Sequence, residues 1–291
     1  MRRWITYLGV SAALSASFAA AQSPRLHCPE TVTAGSAVSC RTSGAGAATL
    51  YIVGPGAVLQ RKFQLGESVA LGADDLHNAG RYVATLVAGS SVESNQFDVA
   101  ASPQPGSMSF LAKPSRLPVN VANGVSGVAY LFDVFGNLIL QPQQVSFELF
   151  GAERKQSRTA TSQNGVAWVK MNSATKAGPA RFQATTANIR ENRVIQQVAG
   201  DPCTIRMTAH PSSDQWVELE TDPVRDCGGN AVADGTIVSF TETLDGHQKA
   251  SVDVPLKRGV ARTRLPARKG AVIAVAAGVV MGNEIRWSGG L

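Results

Sequence analysis

Histidine is scarce in this 291-residue sequence, and the four that occur, His27, His77, His210 and His247, stand singly. No His-Glu-x-x-His pair is present, which removes the usual helical zinc signature. Serine has no Gly-x-Ser-x-Gly elbow around it, so Ser90, Ser91 and Ser94 read as residues in or beside a turn between strands. A phosphate-cradling glycine loop followed by Lys-Ser or Lys-Thr is also missing. The cysteines show no Cys-x-x-Cys spacing of the kind that holds a metal. After the first 21 residues no stretch carries an amphipathic helical period, and charges interrupt every apolar run before the ~20 residues a bilayer-spanning helix requires. Asp74-Asp75 offers paired acids that could do acid/base work, yet their place before Tyr82 suits a turn cap. Together these absences predict a chain that is not an enzyme and needs no cofactor or metal. Since catalytic groups can assemble from distant positions, an unrecognised site between domains is kept as a third reading.

What is present begins with export. Met1-Arg2-Arg3, an apolar run over residues 4–18 and Ala19-Ala20-Ala21 before Gln22 form the pattern of a secretory signal peptide over 1–21. A twin-arginine reading of Arg2-Arg3 fits the flanking Trp4-Ile5-Thr6 poorly. No cysteine follows the run to carry a lipid. Removing Arg2 and Arg3 with this segment lowers the formal net charge from +6 to +4. Lys257, Arg258, Arg262, Arg264, Arg268 and Lys269 gather positive charge late in the chain. Such a cluster reads either as a patch for an anionic polymer or membrane surface, or as a solvated strand face. Nucleic acid is not an expected partner.

Cys28, Cys40, Cys203 and Cys227 make an even count in a chain bound for an oxidising compartment and are expected to be disulfide-bonded. Three pairings are formally open. Cys28 with Cys40 and Cys203 with Cys227 keep each bridge inside one repeat-sized unit, each loop contributing roughly 3 to 3.5 kcal/mol on the chain-entropy view.

The repeat itself is explicit. Asp133-Val134-Phe135-Gly136-Asn137 followed by Val145-Ser146-Phe147 returns as Asp226-Cys227-Gly228-Gly229-Asn230 followed by Val238-Ser239-Phe240. Gly165-Val166-Ala167 is answered by Gly259-Val260-Ala261, and Lys176-Ala177-Gly178 by Arg268-Lys269-Gly270. A period of about 93 residues describes self-sufficient beads, since solenoid repeats run only ~20 to 50 residues. Dividing the mature chain by this period predicts three domains, 22–101, 107–198 and 202–291. The joints are Ala100-Ala101-Ser102-Pro103-Gln104-Pro105-Gly106 and Ala199-Gly200-Asp201-Pro202, both short.

Alternation is that of strands. Thr204-Ile205-Arg206-Met207-Thr208-Ala209, Gln215-Trp216-Val217-Glu218-Leu219-Glu220, residues 236–243 and Ser251-Val252-Asp253-Val254 switch apolar with polar between turn formers. The predicted fold class is all-β, three tandem immunoglobulin-like sandwiches. Ala261, Thr263 and Leu265 should face the core, leaving Arg262 and Arg264 outward. The repeat transfers that phase, so Ala167, Val169 and Met171 face inward and Trp168 and Lys170 outward. Trp168, Arg262 and Arg264 are therefore candidate partner-binding residues, with Trp168 packed under a linker or neighbouring domain as the rival expectation.

On Asp226, Gly229-Asn230, the run Ala233-Asp234-Gly235-Thr236-Ile237-Val238-Ser239-Phe240 and Gly259-Val260-Ala261, the third unit resembles the bacterial immunoglobulin-like domains of the Big-1 type found in invasin and intimin-like surface proteins. The second unit resembles them through Asp133, Gly136-Asn137, Val145-Ser146-Phe147 and Asn164-Gly165-Val166-Ala167-Trp168-Val169-Lys170. In both units the aspartate is expected to accept backbone N–H bonds in a tight turn whose Gly-Asn pair tolerates positive φ, with Phe147 and Phe240 dropping into the core. A calcium site from Asp226, Asn230 and Asp234 is the sharper alternative. The first unit resembles a different immunoglobulin variety: Gly80, Tyr82 and Ala84 stand where a glycine, a corner tyrosine and a cysteine occur in strand F.

The resemblance implies an exported binding or structural protein of the cell envelope or surface that presents beads to a protein or polysaccharide, of adhesion type. An accessory subunit of a periplasmic or surface assembly, joined by strand addition, is the second reading. Related proteins usually owe their location to a β-barrel or other anchor. None is recognised here, so a released, periplasmic or partner-held chain is expected.

Overall fold

The computed structural model describes residues 23–213 and 216–289. The expected signal peptide at 1–21 lies outside them. Strands carry the whole of the regular structure among the described residues, and the fold is all-β, with tandem immunoglobulin-like sandwiches. No helix among the described residues is long and apolar enough to cross a membrane. The chain divides into two compact units, one ending at Ser102 and one beginning at Pro103.

The first unit contains β1 (Arg25–His27), β2 (Thr31–Thr33), β3 (Val38–Ser43), β4 (Ala47–Gly54), β5 (Ala57–Gln64), β6 (Ser68–Leu71), β7 (Gly80–Ala88) and β8 (Ser91–Ala100). They form sheets ordered β1-β3-β6 and β2-β8-β7-β4-β5, with β2 parallel to β8. Leu50, Ile52, Leu71, Leu76, Tyr82 and Leu86 fill the space between them. Tyr82 is fully buried, stacks on Phe97 at 5.5 Å and donates its hydroxyl to the Asn78 carbonyl at 3.0 Å. Its ring leaves no room at Gly54, where a Cβ would lie 2.1 Å away. Cys28, directly after β1, is bonded to Cys40 on β3.

The second unit holds two sandwiches. The first of them comprises β9 (Ser107–Lys113), β10 (Arg116–Pro118), β11 (Val125–Phe132), β12 (Gln144–Phe150), β13 (Lys155–Thr161), β14 (Val166–Met171), β15 (Gly178–Thr186) and β16 (Ile189–Val198). Its sheets are β14-β11-β9 and β10-β16-β15-β12-β13. Phe110, Phe147 and Phe182 meet between them, Phe110 and Phe182 edge to face at 5.2 Å. Gly127 on β11 sits beneath this cluster, since a Cβ there would come 2.6 Å from the Phe182 ring.

The last sandwich comprises β17 (Pro202–Thr204), β18 (Met207–Ser213), β19 (Trp216–Thr221), β20 (Arg225–Asp226), β21 (Ile237–Leu244), β22 (His247–Pro255), β23 (Arg262–Pro266), β24 (Val272–Ala277) and β25 (Val280–Arg286). Its ladders are β17-β20, β18-β19-β23 and β22-β21-β24-β25, enclosing Val217, Leu219, Phe240, Leu265, Ile273 and Val275. The alternating run 204–209, expected as one strand, is broken at Ile205–Arg206. The cause is a change of partner. Before the break β17 pairs with β20 beside the Cys203–Cys227 disulfide, and after it β18 pairs with β19. Asn283 on β25 secures the switch, accepting from Met207 N at 2.8 Å and donating to its carbonyl at 3.1 Å.

Phe240 has no exposed surface, whereas Trp168 is 61% exposed. Phe240→Ala should therefore lower unfolding free energy by about 3 to 5 kcal/mol through lost burial and a residual cavity. Trp168→Ala should stay within about 0.5 kcal/mol of the parent. Urea titration followed by circular dichroism checks both.

Candidate functional site

Two features organise the second unit's surface: an aspartate-centred turn that recurs in both sandwiches, and the outward faces of two equivalent sheets. The turn repeats almost bond for bond. Asp133 N donates to Asn137 O and Asp226 N to Asn230 O, both at 2.9 Å; Gly136 N and Gly229 N donate to the carbonyls of Asp133 and Asp226. The Asp133 carboxylate accepts from Phe135 N and Asn137 N, and the Asp226 carboxylate from Gly228 N and Asn230 N, at 2.8–2.9 Å. Gly136 and Gly229 have φ of 83° and 75°, where a side chain is strained. The asparagines are not at positive φ, which corrects the expected role of the Gly-Asn pair. Asn137 and Asn230 act through their amides, each donating Nδ2–H to its aspartate at 2.9 Å.

Asp226 also holds the joint. Gly200 N, in the linker, donates to its Oδ2 at 2.9 Å. The preceding sandwich reaches the same turn: Lys176 Nζ donates to Gly228 O at 2.8 Å, Ala177 N to Asn230 Oδ1 at 2.9 Å, and Asn230 Nδ2 to Thr175 O at 2.9 Å. This close approach depends on Gly228, where a Cβ would lie 2.8 Å from the Thr175 carbonyl. The equivalent residue in the other turn is Phe135. Sequence reading missed Gly228, and the change from Phe-Gly-Asn to Gly-Gly-Asn was its signal.

These bonds also account for the oxygen atoms of the suggested calcium site. Asp226 and Asn230 bind the turn and the neighbouring sandwich, while Asp234 Oδ1 accepts from Gly259 N at 3.1 Å in a separate network. Backbone N–H groups of Arg258 and Gly259 hold the Asp234 carboxyl below its ordinary range. Among the described residues no group of three or more His, Cys, Asp or Glu is placed to hold a metal ion. Asp75 serves as a cap, accepting from Gly72 N at 2.8 Å and from Arg61 at 2.9 Å.

The candidate partner-binding residues lie on corresponding sheets but in unlike company. Arg262 and Arg264 are exposed on β23, beside acids on β19 in register: Glu220 opposite Arg262 and Glu218 opposite Arg264. Arg262 donates to Glu220 at 2.6 Å, and Arg264 grips Glu218 through Nε and Nη2. The hydrogen bond from Arg262 holds the Glu220 carboxyl below its usual range and raises the guanidinium in return. His210 completes the row with Glu218 and Arg264. Trp168 on β14 instead stands beside Val128 and Leu111, with no acid in its row. The structure thus separates Trp168 from the two arginines, which lie on different sandwiches.

No protein-family model matches the chain, and no curated protein matches it in sequence. Solved structures do. FdeC, an Escherichia coli adhesin, superposes with a TM-score of 0.62 at 14% identity, over 91% of this chain and 97% of that one. InvD of Yersinia pseudotuberculosis gives 0.50 at 11% identity, over 90% and 96%. Invasin, described as a bacterial integrin-binding protein, gives 0.50 at 11% identity over 91% of this chain, which spans 59% of the invasin chain. At these identities the likeness is one of fold, that of tandem immunoglobulin-like domains in bacterial adhesins.

Burial pushes the Asp226 carboxyl up, but the hydrogen bonds from Gly200, Gly228 and Asn230 outweigh it and hold the group below its ordinary value. A depressed folded value means this carboxylate stabilises the fold above the unfolded pKa of about 3.9, and the contribution is lost as pH falls through the folded value. Asp226→Asn should be less stable at neutral pH by about 1 to 3 kcal/mol. It should also show a flatter stability profile below about pH 4 in denaturant titrations at stepped pH. Gly228→Val should disrupt the joint selectively, so that limited proteolysis cuts within 199–202 faster than in the parent.

Proposed function

We propose that the chain is an exported, non-catalytic binding or structural protein of the bacterial cell envelope or surface, whose immunoglobulin-like beads meet a protein or glycan partner in the manner of adhesins. The domains it presents are 22–101, 107–198 and 202–291, behind a signal peptide at 1–21. The observation that carries this reading is the hydrogen-bonded joint at Asp226. There the linker and the preceding sandwich are hydrogen-bonded to the turn of the last one, as suits a protein that presents its beads in series. Two disulfides and no free cysteine among the described residues support an oxidising destination. Of the paired acids Asp74-Asp75, Asp75 is engaged as a turn cap and in an ion pair with Arg61, which supports a structural role for it.

The second reading, strand addition into an assembly, draws on β5. This eight-residue strand ends its sheet, and Val58 on it is 76% exposed. An outer strand of that kind offers unpaired backbone groups to a partner.

Fractionation of cells producing the full chain, followed by cross-linking and pull-down, tests the proposal. Expected are a processed chain outside the cytoplasm and a cross-linked envelope or surface component. A stable stoichiometric complex would favour the assembly reading. An unprocessed cytoplasmic chain, or one that captures no surface protein, cell surface or polysaccharide at any salt concentration, would overturn it.

A further inference from the structure

The outward face of the sheet β14-β11-β9 carries three cross-strand rows. Register places Leu111, Val128 and Trp168 side by side, with Lys113, Ser126 and Lys170 in the row on one flank and Ser109, Tyr130 and Val166 on the other. Trp168 is 61% and Leu111 48% exposed, while Val128, Tyr130 and Val166 are half-buried. The inward residues between them, Phe110, Ala129, Ala167 and Val169, fill the core, so the phase of the face is fixed. Strand spacing makes each row about 10 Å wide. No aspartate or glutamate stands in these rows, and the described ion pairs involve neither Lys113 nor Lys170.

The third sandwich carries a different chemistry at the corresponding rows. There the row Thr208, Glu220, Arg262 takes the place of Leu111, Val128, Trp168, and His210, Glu218, Arg264 lies alongside. In these two rows each arginine is paired with a glutamate, and the row beyond them on the same face carries Trp216 and Pro266. At the two corresponding rows, one bead therefore carries acids paired with bases and the other an apolar row flanked by two lysines.

We propose that the β14-β11-β9 face binds an acidic polysaccharide, with sugar rings lying on Trp168 and carboxylates meeting Lys113 and Lys170. This deepens the reading of the chain as an exported binding protein and rests on it. The chemistry selects the ligand. An exposed indole offers a broad apolar surface and an Nε1–H donor, and the C–H face of a pyranose packs on such a surface while its hydroxyls stay at the rim. Ser109 and Ser126 supply neutral hydrogen-bonding groups beside it. An open sheet face suits rings laid along it better than peptide side chains, which anchor in pockets. Two unpaired lysines with no acid in the rows complement a carboxylate-bearing chain and disfavour a cationic one.

The test uses the mature full-length chain with polygalacturonate, neutral dextran and a single-stranded oligonucleotide as probes. Binding is read by calorimetry and tryptophan fluorescence. Polygalacturonate should bind, dextran should not, and affinity should fall as salt rises. Trp168→Ala and the double substitution Lys113→Ala with Lys170→Ala should each weaken binding about tenfold or more. Trp216→Ala, which removes a half-exposed indole from the other sandwich, should leave it unchanged, with circular dichroism confirming that each variant is folded. Uronate binding indifferent to Trp168, tighter binding of the oligonucleotide, or no binding of polygalacturonate would each overturn the assignment. If polygalacturonate fails while pull-down still captures a surface protein, the glycan site falls and the broader function stands. If both fail, both fall.

Discussion

A single buried carboxylate governs the second unit. Asp226 is 5% exposed, and its two oxygens gather N–H donors from the turn that contains it, from the Asn230 amide and from the linker residue Gly200. A charged acceptor left unsatisfied there would cost several times what one neutral hydrogen bond contributes, so the turn, linker and anion order one another. The same arrangement around Asp133 shows that the turn is a property of the repeat, which each bead uses to close the sheet-to-sheet crossing before the strand that carries Phe147 or Phe240. The joint is a second task of the same turn in the last bead. Asn230 serves both, giving Nδ2–H to Asp226 and to Thr175 while its Oδ1 receives Ala177 N.

Much of this was legible in the residues because sheets write a simple code. Period-two alternation placed Ala261 and Leu265 inside and Arg262 and Arg264 outside, and transferring that phase by the repeat placed Ala167, Val169 and Met171 inside with Trp168 out, as the structure has them. Tyr82 announced its corner by its distance from Gly80. What alternation could not show is where a strand changes partner. Thr204 to Ala209 alternates without a flaw, yet the ladder breaks at Ile205–Arg206, because pairing depends on β20 and β19 and not on the run itself. Nor could composition distinguish a glycine needed for φ from one needed for proximity. Gly229 is the first kind, and its neighbour Gly228, which lets the Thr175 carbonyl come close, is the second.

The candidate site exposes a further limit of sequence reading. Cationic residues late in the chain read either as a patch or as a solvated strand face, and the count of arginines says nothing about what lies across the sheet. Glu218 and Glu220 lie more than 40 positions away from Arg264 and Arg262 and become their immediate neighbours only through the β19–β23 register. Exposed pairs of this kind contribute little to stability, so their main consequence is to cancel the field that a free arginine would project.

That cancellation gives the repeat a division of labour. Duplicated beads begin with the same faces, and the core cannot diverge far without losing the packing around Phe147 or Phe240, whereas outward positions of a sheet are free to change one residue at a time. At two rows of the last bead they are acids and bases that pair with one another; at the corresponding central row of its neighbour they are Leu111, Val128 and Trp168. An exposed tryptophan on a well-ordered strand costs the free protein the chance to bury a large apolar surface. Its neighbours leave it uncovered although the equivalent sheet shows that a polar solution fits the same backbone. On the proposal made for it, the face of β14-β11-β9 is where the second unit would meet a partner, on a bead that hydrogen bonds at Asp226 and Asn230 tie to the next one.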